Sequence, residues 1–192
     1  QPPTEMSLGD FSVAKGETTE IALGALVFNV AEELKEAPVE AVVVSETASG
    51  REVLRLLRHD NDYYLYKPKA LVPGTYDVSL QYYRCEKPTK VAGGLTVAAG
   101  KETVLTLDSG IAVSRPNGTR VRGWDLRPAG GSEPLLSIRR GMDNEEPLWR
   151  PFIVGPGTYD LHLLVNDMDE DLPAGEGIEI QAGQTVQFDT GL

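Results

Sequence analysis

The sequence has few of the residues on which several protein classes depend. It contains one cysteine in 192 residues, which excludes an internal disulfide and therefore a cystine-stabilised scaffold. Its 18 Lys and Arg residues are outnumbered by 29 Asp and Glu residues, and the net charge of −11 argues against binding to a nucleic-acid backbone. Apolar runs fall well short of the roughly 20 residues of a membrane-spanning helix, so we predict no transmembrane segment. The 41% of hydrophobic residues nevertheless suffices for an apolar core.

An internal repeat organises most of the chain. Residues 73–78 (PGTYDV) recur as residues 156–161 (PGTYDL), which is an offset of 83 residues. Further matches at this offset join Leu65 to Leu148, Pro68 to Pro151 and Gly94 to Gly177. A period of this length is too long for one turn of a solenoid, so each copy is expected to have its own core. We predict a first repeat over residues 24–108 and a second repeat over residues 109–192.

Residues 1–23 resemble the end of such a repeat. The segment FSVAKG at residues 11–16 is similar to LTVAAG at residues 95–100. We interpret residues 1–23 as the terminal hairpin of a preceding repeat, and we expect further repeats or other domains in the parent chain. The corresponding segments of the two full repeats, residues 95–107 and 178–188, are likewise predicted to form hairpins across an Ala-Gly turn.

Alternation of apolar and polar residues predicts β-strands in both repeats. Tyr76, Val78, Leu80 and Tyr82 alternate with polar residues, which is the period-2 pattern of a half-buried strand. Pro-Gly immediately before this strand predicts a turn, and only residues 31–36 have a helix-like composition, enough for a turn or two. About seven short strands per repeat predict an all-β fold of two tandem antiparallel β-sandwich domains, immunoglobulin-like or prealbumin-like.

The string LVPGTYDVSL at residues 71–80, followed by a variable loop, a strand, Ala-Gly and a Thr- and Val-rich strand, resembles a known family. It is similar to the prealbumin-like (carboxypeptidase-regulatory-like) and immunoglobulin-like repeats of bacterial envelope proteins. More narrowly, it resembles tandem repeats that follow von Willebrand factor A-type domains in secreted bacterial proteins. The resemblance implies an extracytoplasmic location (periplasmic, cell-surface or secreted) and a non-catalytic structural spacer or protein-interaction module. No functional residue is carried over, because the shared residues belong to the turn and the core.

Side chains suited to nucleophilic or general-base catalysis are scarce. The chain has two histidines, His59 and His162, and one cysteine, Cys85, and none of them lies in a catalytic motif. His162 alternates with the apolar residues of its strand, so we expect it on the solvated face. Cys85 is interpreted as a small buried or half-exposed thiol. We therefore predict that the protein is not an enzyme.

An acidic loop at residues 166–171 is the sharpest chemical feature of the sequence. Asp167, Asp169 and Asp171 alternate in it, and their carboxylates are the hard oxygen ligands that calcium prefers. The loop begins like an EF-hand loop, but Leu172 replaces the sixth-position glycine and Ile178 replaces the twelfth-position glutamate. The first repeat has no such loop. The sequence thus leaves two interpretations open, a calcium site and a solvated acidic loop.

The sequence has more tyrosines than the cores of two small sandwich domains can accommodate. Tyr83 follows the inward-facing Tyr82 and is expected to be exposed, and Tyr63 and Tyr64 lie in a loop rich in aromatic residues. Exposed tyrosine rings stack on the apolar faces of sugars. The alternative function is therefore a carbohydrate-binding module attached to a secreted hydrolase, with a polysaccharide rather than a protein as the partner. Structural packing of these rings is the competing interpretation.

Overall fold

The computed structural model describes residues 12, 14–18, 20–58, 67–117, 120–141, 145–166, 168 and 170–191. Within these residues the fold is all-β, with two 3-10 helices, Glu32–Leu34 and Glu146–Trp149, and no α-helix. The first of these confirms the short helical turn predicted within residues 31–36. No helical segment in the described part of the chain has the length and hydrophobicity needed to cross a membrane.

Fourteen strands are described, seven in each repeat. The first seven are β1 (Gly24–Val30), β2 (Val39–Glu46), β3 (Glu52–Leu57), β4 (Lys69–Leu71), β5 (Gly74–Tyr82), β6 (Thr89–Val97) and β7 (Glu102–Leu107). The second seven are β8 (Gly110–Val113), β9 (Val121–Pro128), β10 (Leu136–Arg139), β11 (Phe152–Ile153), β12 (Gly157–Val165), β13 (Leu172–Ile180) and β14 (Thr185–Phe188).

The strands form four small sheets with the same order in each repeat. In the first repeat the orders are β4-β1-β7 and β3-β2-β5-β6, and in the second they are β11-β8-β14 and β10-β9-β12-β13. Each strand of the second repeat thus occupies the place of its counterpart in the first. This arrangement of a three-stranded and a four-stranded sheet is consistent with a β-sandwich.

The predicted hairpins at the ends of the repeats are wrong. β6 pairs with β5, whereas β7 pairs in parallel with β1, so the chain crosses from one sheet to the other at the Ala99-Gly100 turn. β14 pairs in parallel with β8 in the same way. The sheets are therefore mainly, but not wholly, antiparallel. Alternation reports which face of a strand is buried and does not report which strand lies beside it.

The repeated PGTYD motif has a structural role. The Tyr76 hydroxyl donates a hydrogen bond to the carbonyl oxygen of Val72 at 2.6 Å, and the Tyr159 hydroxyl donates to that of Gly155 at 2.7 Å. Each tyrosine thereby ties the start of its strand to the preceding turn, as in the tyrosine corner of immunoglobulin-like sandwiches. The strongest sequence match between the repeats thus maintains the fold.

The aspartate of the same motif holds an irregularity in the neighbouring strand. Asp77 accepts a hydrogen bond from the backbone N–H of Gly94 at 3.0 Å, and Asp160 accepts one from Gly177 at 2.9 Å. Both glycines have positive φ, at 69° and 65°, a conformation that other residues rarely adopt. The repeated Asp and Gly are therefore explained by the backbone that they stabilise.

The segment before β1 contains a turn at Lys15 and Gly16, closed by a hydrogen bond from Glu17 N–H to the Ala14 carbonyl. The described residues of this segment contain no strand. Because residues 1–11 lie outside the described part, the interpretation of residues 1–23 as a terminal hairpin stays a prediction.

Candidate functional site

The two repeats meet at a junction built mainly from buried apolar side chains. The aromatic rings of Tyr82 and Phe152 contact each other edge to face, with centroids 5.2 Å apart, and the Tyr82 hydroxyl donates a hydrogen bond to the Ile153 carbonyl. Around them, the first repeat contributes Leu34, Cys85 and Thr89, and the second contributes Gly110, Leu135 and Ser137. Buried residues of both repeats form one continuous hydrophobic cluster.

At this junction the main chain of Gly110 lies very close to the neighbouring atoms of both repeats. A Cβ atom on Gly110 would lie 2.8 Å from the Leu34 side chain and 2.5 Å from the Phe152 carbonyl oxygen, so only glycine fits there. Two residues, Asp108 and Ser109, connect β7 to β8, and the Ser109 hydroxyl donates to the Val154 carbonyl at 2.8 Å. The connection between the repeats is therefore short and anchored.

Cys85 belongs to this junction and is half-buried. Its thiol donates to the Ser137 carbonyl at 3.1 Å across the two repeats. Burial raises the pKa of the Cys85 thiol to about 12, and the Arg139 cation offsets only part of that effect. A thiol that stays protonated is a poor nucleophile, so the geometry gives no support to cysteine catalysis.

We expect Cys85 to react with a disulfide reagent at pH 8 at least about a hundredfold more slowly in the folded chain than in urea, because little thiolate forms. Single-cysteine labelling, followed by absorbance, measures both rates in the same protein. Labelling at the urea rate in native buffer would contradict this burial and would mean that the junction opens readily.

The predicted carbohydrate-binding tyrosines are only partly described. Tyr83 is 43% exposed, directly after the buried Tyr82, and Tyr63 and Tyr64 lie outside the described residues. The Arg84 guanidinium lies 5.0 Å from the Tyr83 ring centre, so one face of the ring is already in contact with a cation. Beside Tyr83 is an open groove of about 260 Å³, lined by Glu40 and Arg58 of the first repeat and by Glu146 and Arg150 of the second.

The acidic loop is likewise described in part. Asp167 and Asp169 lie outside the described residues, and Asp171 accepts a hydrogen bond from Arg127. Among the residues that the structure describes, no group of three or more His, Cys, Asp or Glu side chains is placed to hold a metal ion. The calcium site stays a prediction, and the Arg127 cation already neutralises one of its three proposed ligands.

A buried ionic cluster on the outer face of the second repeat was not predicted. Asp125 on β9 is only 4% exposed, and it accepts hydrogen bonds from Ser137 at 2.7 Å and from Arg139 at 2.6 Å. Arg127 bridges Asp125, at 3.4 Å, and Asp171. Although burial alone would raise the pKa of Asp125, the hydrogen bonds from Arg139 and Ser137 lower it below its ordinary value.

His162, on the neighbouring strand β12, lies directly beside Asp125 in the sheet and is half-buried. His59 lies outside the described residues. Asp125 accepts hydrogen bonds from two arginines and a serine.

Comparisons with known proteins assign no family. No family model matches the sequence, and no curated protein matches it. Among solved structures, the TIE protein of Bacillus anthracis is 17% identical over 88% of this chain and 33% of its own length, with a TM-score of 0.29. A leucine-rich repeat protein of Bacteroides thetaiotaomicron is 16% identical over 88% of this chain and 26% of its own, with a TM-score of 0.27. The chain thus spans a third or less of each of these proteins.

Proposed function

We propose that this chain is a non-catalytic rigid spacer within a larger bacterial extracytoplasmic protein, built from two tandem immunoglobulin-like or prealbumin-like sandwich domains over residues 24–108 and 109–192. The observation that carries the proposal is the apolar junction, where Tyr82 and Phe152 are completely buried between the repeats. A spacer has to resist bending, and the junction provides that resistance.

Contacts between domains of one chain are usually polar and permit relative motion. Here the contact is made by two aromatic rings and by hydrogen bonds to main-chain carbonyls, including Thr89 to Leu135 at 3.2 Å. Bending at the junction would expose apolar surface, at roughly 25 cal/mol for each Å². The short connection through Asp108 and Ser109 leaves no slack to relieve that loss. These features favour a fixed angle between the repeats, as a spacer or a rigid platform for a protein partner requires.

Pulsed electron paramagnetic resonance, which measures the distance between two spin labels, tests the proposal. Spin labels on cysteines replacing the exposed Ala48 and Ala182, in a Cys85→Ser background, report the separation of the repeats. A rigid spacer gives a single distance distribution as narrow as that of a control pair within the first repeat, at Ala48 and Lys101. A distribution much broader than the control would refute the spacer function.

A second candidate function is carbohydrate binding at the groove beside Tyr83. The exposed ring offers a stacking surface, and Glu40 and Arg150 supply the polar groups that would orient a sugar. Affinity electrophoresis against soluble polysaccharides, with calcium and with EDTA, tests this function. Retardation that is abolished by Tyr83→Ala would support this function. Met168→Ala is the control at another exposed apolar residue, and it should leave the retardation unchanged. Absence of retardation with every glycan would refute it, and a calcium-dependent effect would implicate the acidic loop.

A further inference from the structure

On the side of the first repeat, the junction is formed by the end of the β5–β6 hairpin. Tyr82, Cys85 and Thr89 lie there, and each donates a hydrogen bond to a main-chain carbonyl oxygen of the second repeat. Tyr82 is 0% exposed and Thr89 is 1% exposed. The end of this hairpin is therefore a surface on which the next repeat of the chain lies.

The second repeat presents the counterparts of these three residues, Val165, Met168 and Leu172, at the end of its β12–β13 hairpin. Each counterpart lies 83 residues further along the chain, and the pairing of β12 with β9 and β13 repeats that of β5 with β2 and β6. Val165 and Leu172 are half-buried, and Met168 is 41% exposed. Two positions that are closed to solvent in the first repeat are thus partly open in the second.

The composition of this end does not suit a surface that faces solvent. Where an array of repeats ends, its outer face is generally polar. Here Leu172 stands in the position of Thr89, so the end has become more apolar rather than more polar. Arg122 donates to the carbonyl oxygens of Val165 at 3.1 Å and Met168 at 2.8 Å, which holds the loop that carries Met168 in place. An apolar surface fixed in this way favours contact with another domain.

The sequence that follows β14 supports the same conclusion. Residues 189–192 (DTGL) match residues 108–111 (DSGI), which connect β7 to β8 and begin β8. In both repeats two residues separate the last strand from the glycine of this motif. The chain thus leaves the second repeat with the sequence by which it passes from the first repeat into the second.

The partner needs apolar residues where the second repeat has Phe152 and Ile153. These residues form β11, and the Phe152 ring contacts Tyr82 across the junction. A second copy of this chain does not offer such a pair at its first repeat, because Lys69 and Ala70 occupy the equivalent positions of β4. Another repeat that resembles the second one does offer it.

We propose that Val165, Met168 and Leu172 form the docking surface for a third repeat, which follows the second in the parent chain and carries apolar residues at the positions of Phe152 and Ile153. The inference rests on the proposed spacer function and extends it, because it makes the second repeat an inner member of a longer rigid array. The contact depends on apolar burial, since none of the three side chains can donate a hydrogen bond.

Oxidation of Met168 by hydrogen peroxide, measured by peptide mass spectrometry, tests the proposal. The probe is the whole chain extended after Thr190 by a second copy of residues 110–192, so that the new junction has the sequence pattern of the existing one. The added copy carries Met168→Leu, and only the original Met168 is then measured. This methionine should be oxidised at least about tenfold more slowly in the extended chain than in the original chain, because the added repeat covers it.

A charge placed in the contact provides the control. Leu172→Lys in the original second repeat would bury an unpaired cation under the added repeat, so the oxidation rate of Met168 should return to within about twofold of that in the original chain. Val104→Lys, at an exposed position of β7, is the matched variant and should leave Met168 protected.

Equal oxidation rates in the original and extended chains would overturn the proposal. An added copy that stays unfolded by tryptophan fluorescence would overturn it equally, because the same sequence folds when it follows the first repeat. Slow oxidation of the original chain that depends on protein concentration would identify a second copy as the partner, against the proposal. Spin labels at positions 48 and 182 report only the existing junction, so their distance distribution distinguishes these outcomes from failure of the spacer function.

Discussion

Replacing Phe152 by alanine is expected to lower the free energy of unfolding by about 3–5 kcal/mol, the usual range for a buried phenylalanine. The side chain is completely buried and contacts Tyr82 of the first repeat and Trp124 of the second. Its removal should also uncouple the repeats, so that one cooperative unfolding transition becomes two. Both tryptophans of the chain, Trp124 and Trp149, belong to the second repeat. Tryptophan fluorescence therefore reports the second repeat, and far-ultraviolet circular dichroism reports both.

The measurement is urea denaturation followed with both signals. The wild type should give coincident transitions, and Phe152→Ala should give transitions that no longer coincide. Leu161→Ala is the matched control, because Leu161 is completely buried in β12 and is not among the junction residues. It should lower stability by about 2–5 kcal/mol with the two signals still coincident. Coincident transitions in Phe152→Ala would mean that the junction does not couple the repeats.

The alternation of apolar residues predicted the strands well because it is a local property. Tyr76, Val78, Leu80 and Tyr82 all face the core, as their spacing requires, and Tyr83 is exposed directly after them. Strand partners were not predictable in the same way. The parallel pairing of β7 with β1 joins residues about 77 positions apart, such as Ala25 and Glu102, and nothing in either strand specifies that neighbour.

The ionic cluster escaped prediction for a related reason. Asp125 lies between the apolar Trp124 and Leu126, and its strand alone indicates only an outward-facing carboxylate. Its partner Arg139 becomes a neighbour only through the register of β9 with β10, in which Ser137 stands opposite Asp125. Strand register equates Asp125 with Val43, so a buried apolar position of one copy carries a charge in the other.

The equivalence of Val42 and Trp124 shows the same limit. Val42 and Trp124 are 82 residues apart rather than 83, because the loops before Pro68 and Pro151 differ in length. The motif offset therefore does not align them, and only the pairing of each with Leu80 or Leu163 establishes their equivalence. Spacing along the chain identifies the repeat, whereas register across the sheet is needed to find where its two copies differ.

Asp125→Asn is expected to lower the free energy of unfolding at pH 7 by about 2–4 kcal/mol, because it leaves two arginines facing a neutral group in a buried position. This loss of stability is toward the low end of the range for buried ion pairs, because the Arg139 side chain is 40% exposed. Arg139→Gln removes the same interaction from the other side. The double variant should therefore be less destabilised than the sum of the single variants, and strict additivity would contradict the coupling of these two residues.

The effect of Asp125→Asn should depend on pH in a defined direction. The pKa of Asp125 is lower in the folded chain than its ordinary value of about 3.9 in the unfolded chain, so the ionised carboxylate contributes stability that is fully present above that value. The contribution is lost as the pH falls through the lower, folded-state pKa. The stability difference between wild type and variant should therefore be constant from pH 7 to about pH 5 and should shrink below about pH 4. Other aspartates with lowered pKa values, including Asp77 at about 2, are present in both proteins and cancel in the difference. Urea denaturation of both proteins at a series of pH values measures this stability difference. A difference that grows as the pH falls would have the opposite sign and would refute the assignment of Asp125 as an ionised partner of Arg139.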